Sequence, residues 1–514
     1  MTSNADTRRA RAGELAARWA GPVFVTAVGG LIRFWNLGGP KQLMFDETYY
    51  VKDAFALMTH GYEVNWTEDA NTGFVIGDMS GMLDTGSYVV HPPLGKWLIG
   101  VGMWVGGPES PFSWRLSAAV AGTLLIWVTI LVGWRLFKSQ PLGLLAGLLV
   151  AVDGIAVVMS RTGLLDIFLA LFVMLAAWLI LKDRAVMDQR LDRLLSTPVG
   201  HGPYGAPLYR SRLFGPRLGM RWYLLGAGAS LGAACAVKWS GLWFLAVFGL
   251  LVVCWDAAAR RRRGIEQWLL GAVWLDGVKA FCLTVPVALA VYVSSWSGWL
   301  ATRGGYYRNW AEYHPNGPFS WLPDGLRSLI HYHREAYSFH VGLTTEHVYE
   351  SSPFGWLLQL RPTAFMYTYD PTCGADNCRQ AVTALGNPLI WWLGVAALLL
   401  VVYAAVVWAD SRAWFIFAGY LAGYVPWLFY SHRTIFTFYS VSFMPFLALA
   451  LAYAAGRIIG PAARPRHSQA FRLKALAIAL IAVVFVSAFF YPIWSGASIS
   501  DTYWQMHMWL PAWN

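Results

Sequence analysis

Eleven apolar stretches recur along the chain, at about 20–37, 114–136, 141–158, 163–181, 222–237, 239–256, 270–294, 388–408, 413–430, 437–455 and 475–493. A spanning helix uses roughly 20 predominantly apolar residues, so this recurrence dictates an all-α polytopic membrane protein and excludes a soluble enzyme. Composition agrees: 57% of the 514 residues are hydrophobic and 13% charged, against about 25% charged in soluble domains. One membrane unit, 1–514, is expected, with elaborate loops instead of separate folded domains. No internal repeat is visible.

Charge orders these stretches. The net charge of +11 is gathered into Arg8 to Arg18, Lys182 to Arg221, Arg260-Arg261-Arg262-Arg263 and Arg457 to Lys474, all between apolar segments. Under the positive-inside rule these are cytoplasmic loops in contact with lipid headgroups, and nucleic acid is not an expected partner. The first stretch lacks a small-residue cleavage site and reads as a spanning helix, not a removed signal peptide. With residues 1–19 in the cytoplasm, every basic connection falls inside, while 38–113, 295–387 and the tail 494–514 fall outside a cell membrane. The breaks at Ser160-Arg161-Thr162-Gly163 and Lys238-Trp239-Ser240-Gly241 are either true turns or kinks.

The two long outer segments differ in character. Segment 38–113 carries nine Asp or Glu against three Lys, and 295–387 is crowded with aromatics and holds five of the eleven His. Such composition disfavours disorder and fits short helices lying at the headgroup level. Cys373 and Cys378, in the second segment, are close enough to form a disulfide in an oxidising compartment. Cys235, Cys254 and Cys282 lie in apolar spans and need no function. The aromatic tail from Asp501 to His507 has no functional account.

Candidate chemistry starts just after the first span, in Met44-Phe45-Asp46-Glu47-Thr48-Tyr49-Tyr50. Asp46 and Glu47 are adjacent carboxylates suited to proton transfer or to metal binding; equally, Asp46 could cap a helix that starts at Glu47. In His91-Pro92-Pro93-Leu94-Gly95-Lys96 two prolines fix an extended turn and bring His91 and Lys96 to the bilayer surface. Arg115 opens the second span, either snorkelling or binding substrate. Asp153, Arg161 and Asp166 are ionisable groups within or beside spans, which are usually paired: structural ion pairs, with Arg161 the partner of Asp153 or Asp166, or direct substrate contacts. Lys238 and Arg433 come to the same face as the acidic loop. Cations converging there suit a lipid-linked phosphate, which guanidinium can bind in bidentate fashion.

Together Phe45-Asp46-Glu47-Thr48-Tyr49-Tyr50, the His91 to Lys96 run, Asp153 with Ser160-Arg161 and Leu164-Leu165-Asp166, Val237-Lys238-Trp239, and Glu346-His347-Val348-Tyr349-Glu350-Ser351 ahead of Leu360-Arg361-Pro362 resemble the motifs of protein O-mannosyltransferases. The resemblance covers nearly the whole chain in order and is closest to the actinobacterial type. It implies a C-type (GT-C) glycosyltransferase fold that moves mannose from polyprenyl phosphate mannose to Ser or Thr of exported proteins, with the export machinery a possible partner. Segment 295–387 has no room for the β-trefoil domain that eukaryotic relatives insert, which puts obligate pairing and the mode of acceptor selection in doubt.

A polyprenyl phosphate leaves as an anion, so one carboxylate suffices, unlike the acid and base pair of glycoside hydrolysis. The carboxylate takes the acceptor proton while the hydroxyl attacks from the opposite face, and the anomeric centre inverts. The resemblance points to Asp46 as base and Glu47 as the orienting group, with the order of these roles open. Arg115, Lys238 and Arg433 are candidates for the leaving phosphate, with His91, Lys96, Arg161, His347 and Tyr349 as further substrate contacts. No cofactor is required; Mg²⁺ or Mn²⁺ on the carboxylates is an option. The alternatives are a C-type transferase with a glycolipid or polysaccharide acceptor, and a transporter or flippase.

Overall fold

The computed structural model describes residues 4–201, 204, 206–369, 373–375, 377–460 and 466–513. Helices occupy all eleven apolar stretches. In chain order they are α1 (Asn4–Phe34), α5 (Pro111–Phe137), α6 (Gln140–Val152) with α7 (Gly154–Met159), α8 (Asp166–Ser196), α9 (Trp222–Val237), α10 (Gly241–Arg262), α11 (Trp268–Gly271) running through a π turn into α12 (Val278–Ser295), α15 (Pro388–Val406), α16 (Ser411–Gly423) with α17 (Val425–Phe429), α18 (Met444–Ile459) and α19 (Arg466–Ser495). Among the described residues five helices are long and apolar enough to cross a membrane unaided, including Pro111–Phe137 and Trp268–Ser295. The others are shorter, kinked or extended by charged turns.

The acidic segment folds as α2 (Glu47–His60), α3 (Ala70–Val75) and α4 (Leu94–Gly106), with a short hairpin of β1 (Val64–Trp66) and β2 (Met82–Gly86). The aromatic segment forms α13 (Ser297–Ala301) and the amphipathic α14 (Asp324–Gly342), then strands β5 (Thr363–Tyr369) and β6 (Cys378–Ala384). On the opposite face β3 (Gly200–His201) and β4 (Pro207–Leu208) pair in the connection after α8. Cys373 and Cys378 are joined, with their Cα atoms 5.9 Å apart.

The tail has a structural role that its sequence did not disclose. Strand β7 (Ser498–Ser500) pairs with β6, making a three-stranded antiparallel sheet, and α20 (Asp501–Gln505) follows. Both ring nitrogens of the buried His507 hydrogen-bond to carbonyls, of Tyr503 and Phe489, each at 2.7 Å.

Close approach between α9 and α12 depends on glycine. Gly228 and Gly232, one turn apart on α9, face α12 so closely that a Cβ would lie 2.5 Å from the Leu283 carbonyl oxygen and 2.6 Å from the Ala288 Cα. Small residues at this spacing let helix backbones meet where lipid supplies no hydrophobic drive.

The expected ion pairing of Asp153 is not what the structure shows. Its carboxylate caps α7 by accepting from the Ala156 N–H (3.2 Å) and accepts from the Asn387 N–H (3.1 Å) and the Trp391 Nε1–H (2.8 Å). Arg161 pairs with neither Asp153 nor Asp166. Its guanidinium donates to the carbonyls of Arg33 (2.8 Å) and Trp35 (2.7 Å), at the C-terminal end of α1. Helix ends leave carbonyls without intrahelical partners, and a guanidinium satisfies several at once, which explains the preference.

Asp153→Ala leaves two buried donors unpaired and removes a cap, a destabilisation of about 2–5 kcal/mol. A thermal melt of the purified protein in detergent is expected to show a clear fall in Tm for Asp153→Ala and a smaller one for Asp153→Asn, which keeps an acceptor oxygen.

Candidate active site

The chain enters the site through Phe45, which holds the left-handed φ of 49°. That backbone is costly for a bulky residue, and packing keeps it there. The Phe45 ring stacks on Phe365 of β5 at 5.0 Å and meets Phe436, Phe438 and His347 edge-on at 5.5–5.7 Å. Asp46 and Glu47 follow, at the start of α2, and the fold treats the two carboxylates in opposite ways.

Glu47 is fully buried and fully engaged. One oxygen accepts from Arg115 Nε (2.8 Å) and from the Gly163 N–H (2.7 Å); the other accepts from Arg115 Nη2 (2.9 Å) and from the Met44 N–H (3.0 Å). Arg115 adds donations to the carbonyls of Pro40 (3.0 Å) and Gln42 (2.9 Å). It therefore neither snorkels nor faces the cavity; it holds Glu47.

Asp46 is half-buried and makes no capping hydrogen bond to the helix behind it. Burial pushes its carboxyl up to about 6, against the attraction of Lys238, while Asp166 raises it and a hydrogen bond with Tyr50 lowers it. Lys238 sits in the extended break between α9 and α10, so its side chain leaves the helical ladder and reaches Asp166 at the head of α8, with Nζ 2.9 Å from both carboxylate oxygens. The same ammonium lies 4.3 Å from the centre of the Tyr439 ring.

His91 is anchored by its neighbours. Tyr332 Oη donates to the Val89 carbonyl (2.6 Å), His340 Nε2 bonds the Val90 carbonyl (2.9 Å), and the His91 ring lies 5.2 Å from that of His340. Burial and the cations around it, Lys238 first, hold His91 well below its ordinary value, so the imidazole is neutral at pH 7. Burial likewise pushes His340 down to about 4.

Arg433 differs from the other cations. It makes no ion pair among the described residues, and its Nε is buried without a hydrogen-bond partner. It lines a cavity of about 400 Å³ with Lys238, His91, His340 and Tyr439, and the cavity continues past Trp239 to Leu242 and Trp243 of α10. Leu242 is 52% exposed and Trp243 44%, so the groove joins an exposed apolar wall to a polar head at Lys238 and Arg433, and Lys238 attracts the Asp46 carboxylate.

Of the expected site residues, the structure gathers Asp46, Asp166, Lys238, His91 and Arg433. Lys96 is turned away, buried in ion pairs with Glu63 and with Asp53 (3.7 Å). His347 packs on Phe45 and Phe436 and does not line the groove; its Nδ1 accepts from the Tyr349 N–H at 3.1 Å, and Tyr349 lies beside it. Tyr50, His340 and Tyr439 were not singled out by sequence. Tyr50 lies four residues after Asp46 on one helical face, a signal that was present, whereas nothing local marks Tyr439. Among the described residues no group of three His, Cys, Asp or Glu side chains comes together to hold a metal ion.

Residues 326–513 match the family described as the C-terminal four TMM region of protein-O-mannosyltransferase, and residues 90–202 match dolichyl-phosphate-mannose-protein mannosyltransferase. The polyprenol-phosphate-mannose–protein mannosyltransferase of Mycolicibacterium smegmatis is 35% identical, covering 97% of this chain and 93% of the relative. That of Corynebacterium glutamicum is 33% identical over 95% and 91%. Among solved structures, the Saccharomyces cerevisiae protein O-mannosyltransferase Pmt1-Pmt2 complex bound to the sugar donor superposes with a TM-score of 0.71 at 14% identity, covering 97% of this chain and 93% of that one. Archaeoglobus fulgidus oligosaccharyltransferase AglB shares the fold more loosely, with a TM-score of 0.52 at 13% identity over 96% and 58%. The chain belongs to the polyprenol-phosphate-mannose–protein mannosyltransferase family.

Proposed function

We propose that this protein transfers mannose from polyprenyl phosphate mannose to Ser or Thr hydroxyls of exported polypeptides, with inversion and on the extracytoplasmic side of the cell membrane. The observation that carries the residue assignment is the asymmetry of the carboxylate pair: Glu47 accepts four hydrogen bonds, while Asp46 stands uncapped and within the attraction of Lys238, a lining residue of the groove.

The polyprenyl chain lies along the apolar wall and its phosphate at the head. Arg433, which pairs with no carboxylate among the described residues, binds the phosphate. Lys238, already neutralised in part by Asp166, orients it and offsets the negative charge that grows as the glycosidic C–O bond breaks. Asp46 accepts the proton of the acceptor hydroxyl as that oxygen attacks the anomeric carbon. Glu47 and Arg115 keep Asp46 in place without touching substrate. The side chains supply the positive charge, so a divalent cation has no role in this scheme. His347, packed on Phe45 next to Asp46, and its neighbour Tyr349 meet the acceptor.

Labelled mannose supplied on the polyprenyl donor should appear on a Thr-rich peptide with wild-type protein. Asp46→Asn should cut kcat by about 10²- to 10⁴-fold, the usual worth of a general base, with donor binding intact. Donor binding without any peptide labelling by wild type would sink the protein-acceptor reading.

The pH dependence has a definite sign. A base raised to about 6 is proton-free above that value, so kcat/KM should hold near pH 7–8 and fall as pH drops through 6. A profile that stays flat down to pH 5 would remove Asp46 from this role.

Glu47→Gln should act differently. It leaves Arg115 as a buried, incompletely paired charge, a loss of about 3–5 kcal/mol in stability, read as a drop in Tm larger than that of Asp46→Asn. Arg433→Gln should weaken donor binding about 10- to 100-fold, the range for hydrogen bonds to charged groups, with no comparable fall in Tm.

A further inference from the structure

A second cavity, of about 1140 Å³, opens near the far end of α5. Arg115 marks the active-site end of this helix and Arg135 the cavity end; twenty residues at 1.5 Å each separate them by about 30 Å, one hydrocarbon thickness. The cavity shares no lining residue with the groove beside Asp46.

Its charge is one-sided. Six cations line it, Arg18, Arg135, Lys138, Lys182, Arg184 and Arg412, against the single carboxylate Asp188. Asp188 already pairs with Arg263 at 3.1 Å and lies 4.0 Å from Arg184; Arg412 pairs with Asp410 at 2.6 Å. Arg18, Arg135, Lys138 and Lys182 have no carboxylate within 4.0 Å among the described residues. They are nevertheless held in position by groups that leave their charge intact. Arg18 lies 4.8 Å from the Trp134 ring centre, Lys182 4.4 Å from that of Trp178, and Arg135 Nε donates to the Leu181 carbonyl at 3.1 Å. Lys138 stands at the C-terminal cap of α5 with φ of 53°.

The rest of the wall is aromatic and apolar. Trp19, Trp134 and Trp178 line the cavity with Leu131, and Trp19 stacks on Trp127 at 5.5 Å. Tryptophan beside lysine and arginine is the signature of headgroup depth. A soluble anion would have no use for the indole and leucine wall. A phospholipid would use both parts, phosphate on the cations and glycerol with upper acyl chain on the indoles.

We infer that this cavity is a binding site for the phosphate headgroup of an anionic phospholipid on the basic face of the bundle. Basic pockets between spanning helices on that side are suited to such headgroups. Occupancy would tie the middle of α1 and α8 to the end of α5 and the start of α16, whose cations otherwise repel one another there.

The test uses the full chain in neutral detergent, offered dioleoylphosphatidylglycerol or dioleoylphosphatidylcholine, with retained lipid counted by native mass spectrometry. Wild type is expected to retain the anionic lipid over the zwitterionic one by about fivefold or more. The triple change Arg135→Gln, Lys138→Gln and Lys182→Gln should bring the ratio close to one. Arg217→Gln, an exposed cation of the same face outside the cavity, should leave it unchanged. The charge-preserving triple Arg135→Lys, Lys138→Arg and Lys182→Arg should keep the preference, which separates lost charge from lost folding. A wild-type ratio near one, or equal ratios in wild type and the neutralised triple, overturns the site. Displacement of the bound lipid by equimolar glycerol phosphate overturns the lipid assignment in favour of a soluble phosphate.

Discussion

A buried ion pair, Glu47 with Arg115, organises the active-site end of the molecule. Removing both charges from water is expensive and is offset only when every lone pair and proton finds a partner. Here that condition is met: Glu47 accepts four hydrogen bonds, two of them from backbone N–H groups at Met44 and Gly163, and Arg115 also donates to the carbonyls of Pro40 and Gln42. Three separate stretches of chain, the loop after α1, the start of α5 and the turn before α8, are thereby fixed to one point. Asp46, one residue away, inherits its position from this clamp without belonging to it.

The environment on the other side of Asp46 is graded. Burial and the Asp166 charge raise the carboxyl, Lys238 and Tyr50 lower it, and Lys238 and Arg433 stand at the head of the groove. A half-buried carboxylate in such a setting keeps more basicity than one in water, which suits proton abstraction from a hydroxyl. Electrostatic stabilisation of a leaving phosphate also strengthens where water is scarce.

Helical architecture was legible because each span must bury its own backbone polarity and so announces itself as an apolar run. The motif residues around Asp46, Lys238 and Arg433 were legible as well, since ionisable groups at a membrane surface stand out. What stayed hidden are the pairings. Adjacent Asp46 and Glu47 look equivalent in sequence, and only the tertiary meeting of Glu47 with Arg115 separates them. Arg161 looked like a partner for carboxylates, yet the unsatisfied carbonyls at the end of α1 claimed it. Strands β6 and β7 pair across more than a hundred residues, and no local pattern in the short Ser498–Ser500 run foretells that register.

The groove headed by Lys238 and Arg433 carries the exposed side chains of Leu242 and Trp243 on its wall, at the start of a helix that crosses the membrane. A polyprenyl donor seated along such a wall is dissolved in the bilayer, so the quantity the enzyme senses is its mole fraction in the membrane plane. Adding inert lipid or detergent at constant donor and enzyme then dilutes the donor as effectively as adding water does for an aqueous substrate. Apparent donor constants for this protein are mole fractions in the membrane, and values taken in micelles of different loading become comparable only after that conversion.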